Sequence, residues 1–263
     1  MTSGEGARIG WAEVQHEASE LVVLATSRGA VLRLVGSTGI RMHCAPAAEA
    51  MDALERPAKD IDVICASGDR KEIRALLEER GYQVDREMLV ATEGTRYAFS
   101  RSDGIVIDLF VDRLEFCHTI ELRDRLGRNV RTIPIEDLLL QKLQIVELMP
   151  SDVVDTAALF ATHALGEGDD LETIDHGYIA GLLARDWGFH RTVTRNLSDF
   201  DERVARGDVA GLSEEQATVV RVRAGALLEI VTSAPKTLAW KLRAKVGERA
   251  QWWEDVPLER EHY

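Results

Sequence analysis

The sequence has little cysteine, little positive charge and no long apolar run. Its three cysteines, Cys44, Cys65 and Cys117, are odd in number and far apart. They offer neither a disulfide framework nor the paired spacing of a zinc site. They read as reduced core thiols, so a cytoplasmic location is expected. No apolar stretch approaches the ~20 residues that a bilayer span needs, so no membrane partner is expected. The segment Met1–Arg8 lacks a basic region ahead of an apolar core, so no secretory signal is expected. Lys and Arg number 32 against 45 Asp and Glu, a net charge of -13. That balance argues against broad, sequence-independent nucleic-acid binding, while leaving room for a local basic cleft. With 263 residues the chain holds one large domain or two modest ones.

What is present is acid where acid does not belong. Val31–Val35 is an apolar run that ends in the small-residue turn Gly36-Ser37. Asp60-Ile61-Asp62-Val63-Ile64 follows, and then Ile105–Val111 with Asp108 inside it. Each run reads as a short, β-branched, buried strand. Asp60 and Asp62 are two apart, so on a strand both leave the same face, ~6.5 Å apart along the chain. Buried carboxylates are costly unless paired or bound to metal. Three that converge suit a hard cation such as magnesium, or manganese in its place. A Gly/Ser turn at a helix N-terminus presents N–H groups suited to phosphate.

The order of these pieces resembles the nucleotidyltransferase superfamily, with the DNA polymerase beta-like fold. Gly36-Ser37, the pair Asp60/Asp62 and the later Asp108 occupy the places of its motif, and Arg56–Lys59 resembles its basic approach to the acid pair. A second segment is similar to the downstream motif of abortive-infection-type nucleotidyltransferases: a Leu-Leu-x-x-Lys-Leu helix, then a basic-Asp-x-x-Asp helix start. Leu139–Leu143 with Lys142 matches it apart from the spacing of the lysine from the leucines, and Asp152 with Asp155 matches the acid pair, whereas Ser151 stands where a basic residue is expected. The resemblance implies that Asp60, Asp62 and Asp108 hold two Mg2+ (or Mn2+) ions ~3.5–4 Å apart and carry catalysis. It implies that Gly36, Ser37, Lys142 and Asp155 bind the nucleotide.

The rest reads as scaffold. Helices are expected over Trp11–Arg28, Asp69–Arg80, Glu136–Glu147, a segment capped by Ser151, Ile174–Ala184, Phe189–Arg206, Ser213–Thr232 and Pro235–Trp253, and further strands over Tyr82–Leu89 and Arg96–Ser100. Ser102-Asp103-Gly104 signals a hairpin turn, Gly166–Asp170 a linker, and Glu254–Tyr263 a polar tail. His43 reads as a packing residue. The final helix gathers Lys236, Lys241, Arg243, Lys245 and Arg249 beside Trp240 and Trp252. This is either a solvated face or a basic wall toward a substrate.

The expected fold is α/β (α+β). Residues 1–135 form a mixed-sheet nucleotidyltransferase core, and residues 136–263 a helical part that completes the substrate cleft. The expected function is metal-dependent transfer of a nucleoside monophosphate from a nucleoside triphosphate, ATP among them, to a hydroxyl acceptor, with pyrophosphate released. The acceptor is a small molecule, RNA or protein. The alternatives are an inactive binding or regulatory protein on the same fold, and a toxin acting on RNA and held by an antitoxin partner.

Overall fold

The computed structural model describes residues 10–44, 60–86, 90, 92, 94–168, 170–209 and 211–255. The basic approach Arg56–Lys59 and most of the C-terminal tail lie outside them. The chain divides into two compact units: residues 1–42, 55–113 and 121–133, and residues 43–54, 114–120 and 134–263.

The first unit is built on a five-stranded mixed sheet. Its strands are β1 (Leu32–Leu34), β2 (Asp60–Cys65), β3 (Gln83–Val84), β4 (Arg96–Ser100) and β5 (Val106–Val111), in the order β1-β2-β5-β4-β3. Only β2 and β5 run parallel; the other neighbours are antiparallel. Strand alternation decides what each face carries. Leu32, Leu34, Ile61, Val63, Tyr97, Phe99, Ile107 and Leu109 join a core with α1 (Trp11–Ser27) and α3 (Arg70–Glu79). Val14, Ala18, Leu21, Val22 and Ala25 of α1, at helical spacing, and Ile73, Leu76 and Leu77 of α3 fill it. The residues between them, Arg33, Asp60, Asp62, Ile64, Arg96, Ala98, Asp108 and Phe110, point to the opposite face.

One acid lies inside the helix-covered side. Glu17 sits on the apolar stripe of α1 at 7% exposure. Its carboxylate accepts from Arg80 at 2.7 Å, Arg101 at 2.8 Å and the Tyr82 hydroxyl at 3.1 Å. Burial alone would raise its pKa, but these donors outweigh it and hold the group below the ordinary carboxylate value. The network ties α1 to the end of α3 and to the hairpin at Arg101–Gly104, where Gly104 takes φ 93°.

The second unit is mainly helical. Its helices are α4 (Ile135–Leu143), α5 (Pro150–Thr162), α6 (His176–Leu183), α7 (Trp187–Arg206), α8 (Glu214–Ser233) and α9 (Leu238–Val246). Helix α4 ends four residues before the sequence suggests. Helix α5 opens at Pro150 rather than with a Ser151 cap, because the fixed φ of proline suits the first helical position. Asp152, two residues on, accepts from the Met149 N–H at 3.2 Å. The segment read as a linker is not one. Leu165–Gly166 pairs in parallel with Ile174–Asp175 as β6 and β7, so Glu167, Gly168 and Asp170 belong to the loop between two strands of one unit. The last helix is shorter than its periodicity suggests, since Gly247 breaks it with φ 59°. Among the described residues no helix is long and apolar enough to cross a membrane.

Candidate active site

The three acids share the face of the sheet opposite α1 and α3. Asp60 and Asp62 alternate with Ile61 on β2, and the parallel register sets Asp62 directly beside Asp108 on β5. Exposure falls across the set: Asp60 is exposed, Asp62 half-buried and Asp108 9% exposed. Asp108 does not stand alone. Arg96 of β4 reaches its Oδ2 with Nη2 at 2.7 Å, and the Arg96 guanidinium lies 5.3 Å from the centre of the Phe110 ring.

Gly36 meets the middle acid. The chain leaves β1 at Val35, whose N–H donates to the Asp62 carbonyl at 2.9 Å. The helix α2 (Gly36–His43) then begins at Gly36 itself. Gly36 has φ 62°, and a Cβ built there would lie 2.1 Å from Asp62 Oδ2 and 2.9 Å from its Cγ. A side chain at this position would force that carboxylate to move. Thr38 Oγ1 donates to the Asp60 carbonyl at 3.3 Å, so the first turn of α2 is fixed to the start of β2. Gly36 and Ser37 therefore lie at the positive end of a short helix dipole, beside the acids.

A second cation is on this face. Arg33, 8% exposed on β1, donates to the Leu126 carbonyl and to its own neighbour's, Leu32, each at 2.8 Å. Burial lowers its pKa. The side chain pins the segment after residue 122 to the sheet edge. Neither Arg33 nor Arg96 stands out as a site residue in the sequence. The signal for Arg96 is alternation: in Arg96-Tyr97-Ala98-Phe99 the aromatics take the core face, which leaves Arg96 on the acid face.

By donor chemistry this face fits a hard divalent cation, since its ligands are carboxylate oxygens. As the side chains stand, the fit is incomplete. One oxygen of Asp108 is held by Arg96, and among the described residues no three His, Cys, Asp or Glu side chains form a group that could hold a metal ion.

Lys142 and Asp155 lie in the second unit, where they are brought together. Lys142 Nζ is 2.9 Å from Asp155 Oδ2 and 3.2 Å from Asp152 Oδ1, and the lysine is 8% and Asp155 4% exposed. The motif thus folds as an internal ion cluster, one ammonium between two carboxylates, joining α4 to α5. Cys44 lies beside it, accepting from Thr162 Oγ1 at 3.3 Å, and burial pushes its thiol up to about 12. Cys65 is raised to the same value by burial, and all three thiols are free and buried. Burial thus disfavours the thiolate at Cys44 and Cys65. His43 packs edge-on against His163 at 5.8 Å, and burial lowers it to about 4, in keeping with a packing role.

The basic last helix is largely occupied with its own backbone. Lys236 donates to the carbonyls of Val231, Thr232 and Ala234 at the end of α8. Arg243 donates to Gly247 and stacks over Trp187 at 4.6 Å, while Arg249 donates to Lys245 and Val246. Only Lys241 and Lys245 of the expected wall remain as exposed side chains outside such contacts.

No family model matches this sequence, and no curated protein does. Among solved structures, the crystal structure of an antigenic nucleotidyltransferase-like protein from Paracoccidioides brasiliensis is similar. It shares 12% identity over 87% of this chain and 95% of that one, with a TM-score of 0.41, a likeness too low to carry an argument about fold or function.

Proposed function

We propose that the protein is a divalent-metal-dependent nucleotidyltransferase that moves a nucleoside monophosphate from a nucleoside triphosphate to a hydroxyl acceptor and releases pyrophosphate. One observation carries this reading: Asp60, Asp62 and Asp108 share one sheet face, with Gly36 packed against the middle acid. Nothing in the stability of a sheet asks for two carboxylates side by side on neighbouring strands, because like charges directly opposite each other are destabilising.

Magnesium or manganese, when bound, would supply positive charge to the attacking and leaving oxygens of an in-line displacement at the alpha-phosphorus. Asp60, Asp62 and Asp108 would hold it. Asp108, beside Asp62 and the most buried of the three, is the acid we assign to the acceptor hydroxyl and its proton. Gly36 and Ser37 would give N–H groups to phosphate oxygens from the first turn of α2. The absence of a Cβ at Gly36 keeps the Asp62 carboxylate and this turn in contact. Lys142 already answers to two carboxylates, so we assign Lys142, Asp152 and Asp155 to holding α4 on α5, and not to the nucleotide.

A second reading has one observation in its favour. Asp108 is bonded to an arginine, which is how an acid would stand in a binding module that has no use for metal. Thermal melting separates the two. Millimolar Mg2+ or Mn2+ should raise the melting temperature, a triphosphate should raise it further and more than the monophosphate does, and Asp62→Asn should lose both shifts while staying folded. A wild-type protein indifferent to metal, or an Asp62→Asn variant that still responds, would favour the binding module.

A further inference from the structure

Asp62 and Asp108 are register partners on parallel strands, and such strands lie ~4.8 Å apart. Two ionised carboxylates so placed repel each other unless a cation stands with them. Arg96 is a cation that stands with them. Its strand is antiparallel to β5, with Ala98 opposite Asp108 and Arg96 opposite Phe110. The small Ala98 side chain lets the guanidinium pass over it from the Phe110 row to Asp108 Oδ2, at 2.7 Å. The start of β4 is fixed so that this reach is kept: Thr92 Oγ1 donates to the Arg96 carbonyl at 2.7 Å, and the Val111 N–H donates to the Thr95 carbonyl at 3.0 Å. Both partners are mostly buried, with side-chain exposures of 20% and 13%, so solvent screens the pair only in part.

We infer that Arg96 is a resident counter-ion of the acid face, one that a divalent metal must displace from Asp108, so that this pair sets how readily the site takes metal. The inference rests on the nucleotidyltransferase reading. It accounts for acids that share a face and yet form no ready-made donor group. It makes Arg96 a positioning residue: it holds Asp108 folded and neutralised until metal replaces it. By linkage, any free energy the pair adds to the metal-free protein is subtracted from metal affinity.

Mn2+ binding, followed by electron paramagnetic resonance of the free ion without nucleotide, tests this on the full chain. Arg96→Met, and Arg96→Gln as a second neutral variant, should bind Mn2+ about tenfold more tightly than wild type, equivalent to ~1.4 kcal/mol. Arg96→Lys keeps the charge and should stay near wild type. Without metal both neutral variants should melt below wild type, and at saturating Mn2+ the gap should close. Affinity that is unchanged or weaker in the neutral variants would overturn the inference. So would a melting gap that metal leaves intact, or an Arg96→Lys variant as tight as Arg96→Met. Asp62→Asn separates this from the reading beneath it. If wild type binds, Asp62→Asn does not and the Arg96 variants match wild type, the reading stands and the inference alone falls. If no variant binds Mn2+, both fall.

Discussion

Replacing Gly36 by alanine tests the contact between the turn and the acids. The new Cβ would lie 2.1 Å from Asp62 Oδ2, and Asp62 Cγ and Cβ are close behind at 2.9 and 3.1 Å. The whole carboxylate group must therefore turn away. Two costs follow. A side chain at φ 62° is left-handed, at ~1–2 kcal/mol. Driving Asp62 off its rotamer adds ~0.5–1.5 kcal/mol. Their sum, ~1.5–3.5 kcal/mol, corresponds to a fall of ~3–14 °C in melting temperature for a chain of this size. Melting by circular dichroism, in the wild-type and Asp62→Ala backgrounds, tells the two costs apart. In Asp62→Ala the Gly36→Ala penalty should shrink to the backbone part alone, leaving a coupling of ~1 kcal/mol between the two positions. Because the rotated acid points elsewhere, Gly36→Ala should also weaken Mn2+ binding. A Gly36→Ala variant that melts like wild type, or that loses as much without the Asp62 carboxylate as with it, would refute the packing described here.

Glu17 gives a pH prediction. Its folded pKa lies below the unfolded value, so its network stabilises the protein above that unfolded value, and the contribution is lost as pH falls through the folded one. Glu17→Gln should therefore cost ~1–3 kcal/mol near pH 7, and the gap to wild type should narrow below about pH 4. A gap that stayed constant across an acid titration of melting temperature would remove the charge from the explanation. Lys142→Met should destabilise by ~3–5 kcal/mol, because it leaves two neighbouring carboxylates without their cation, and adding Asp155→Asn should recover part of that loss in chemical denaturation. If Lys142→Met is instead stable but binds triphosphate poorly, the lysine belongs to the nucleotide after all.

The acids were legible because each interrupts an apolar strand, and the spacing of Asp60 and Asp62 alone puts both on one face. That Asp62 stands beside Asp108 was not legible, because it depends on β2 and β5 pairing in parallel across more than forty residues of chain. Arg96 was missed for the same reason: a strand-opening arginine is ordinary until the register places it beside an acid. Glu17 left a local signal, a carboxylate three residues after Val14 and four before Leu21, where α1 is otherwise apolar. Its partners come from α3 and the hairpin, so the sequence could mark the oddity but not its solution. Element ends moved wherever backbone chemistry outweighed periodicity, as at Pro150 and Gly247. Among the described residues of the expected strand Tyr82–Leu89, Gln83–Val84 alone forms one. The resemblance grouped Lys142 with the nucleotide ligands, whereas its neighbours in space are Asp152 and Asp155.

The central claim is chemical, and label transfer reaches it most directly. The purified protein is incubated with Mg2+ or Mn2+, a triphosphate labelled at the alpha position and, separately, one labelled at the gamma position, together with RNA, small metabolites and protein as acceptors. The account predicts that alpha label passes to one class of acceptor with an equal yield of pyrophosphate, that gamma label does not, and that Asp60→Ala, Asp62→Ala and Asp108→Ala each abolish transfer while remaining folded. Transfer of gamma label would mean attack at a different phosphorus, and no transfer of either label while metal and triphosphate still bind would mean that the acids on this face serve binding and not catalysis.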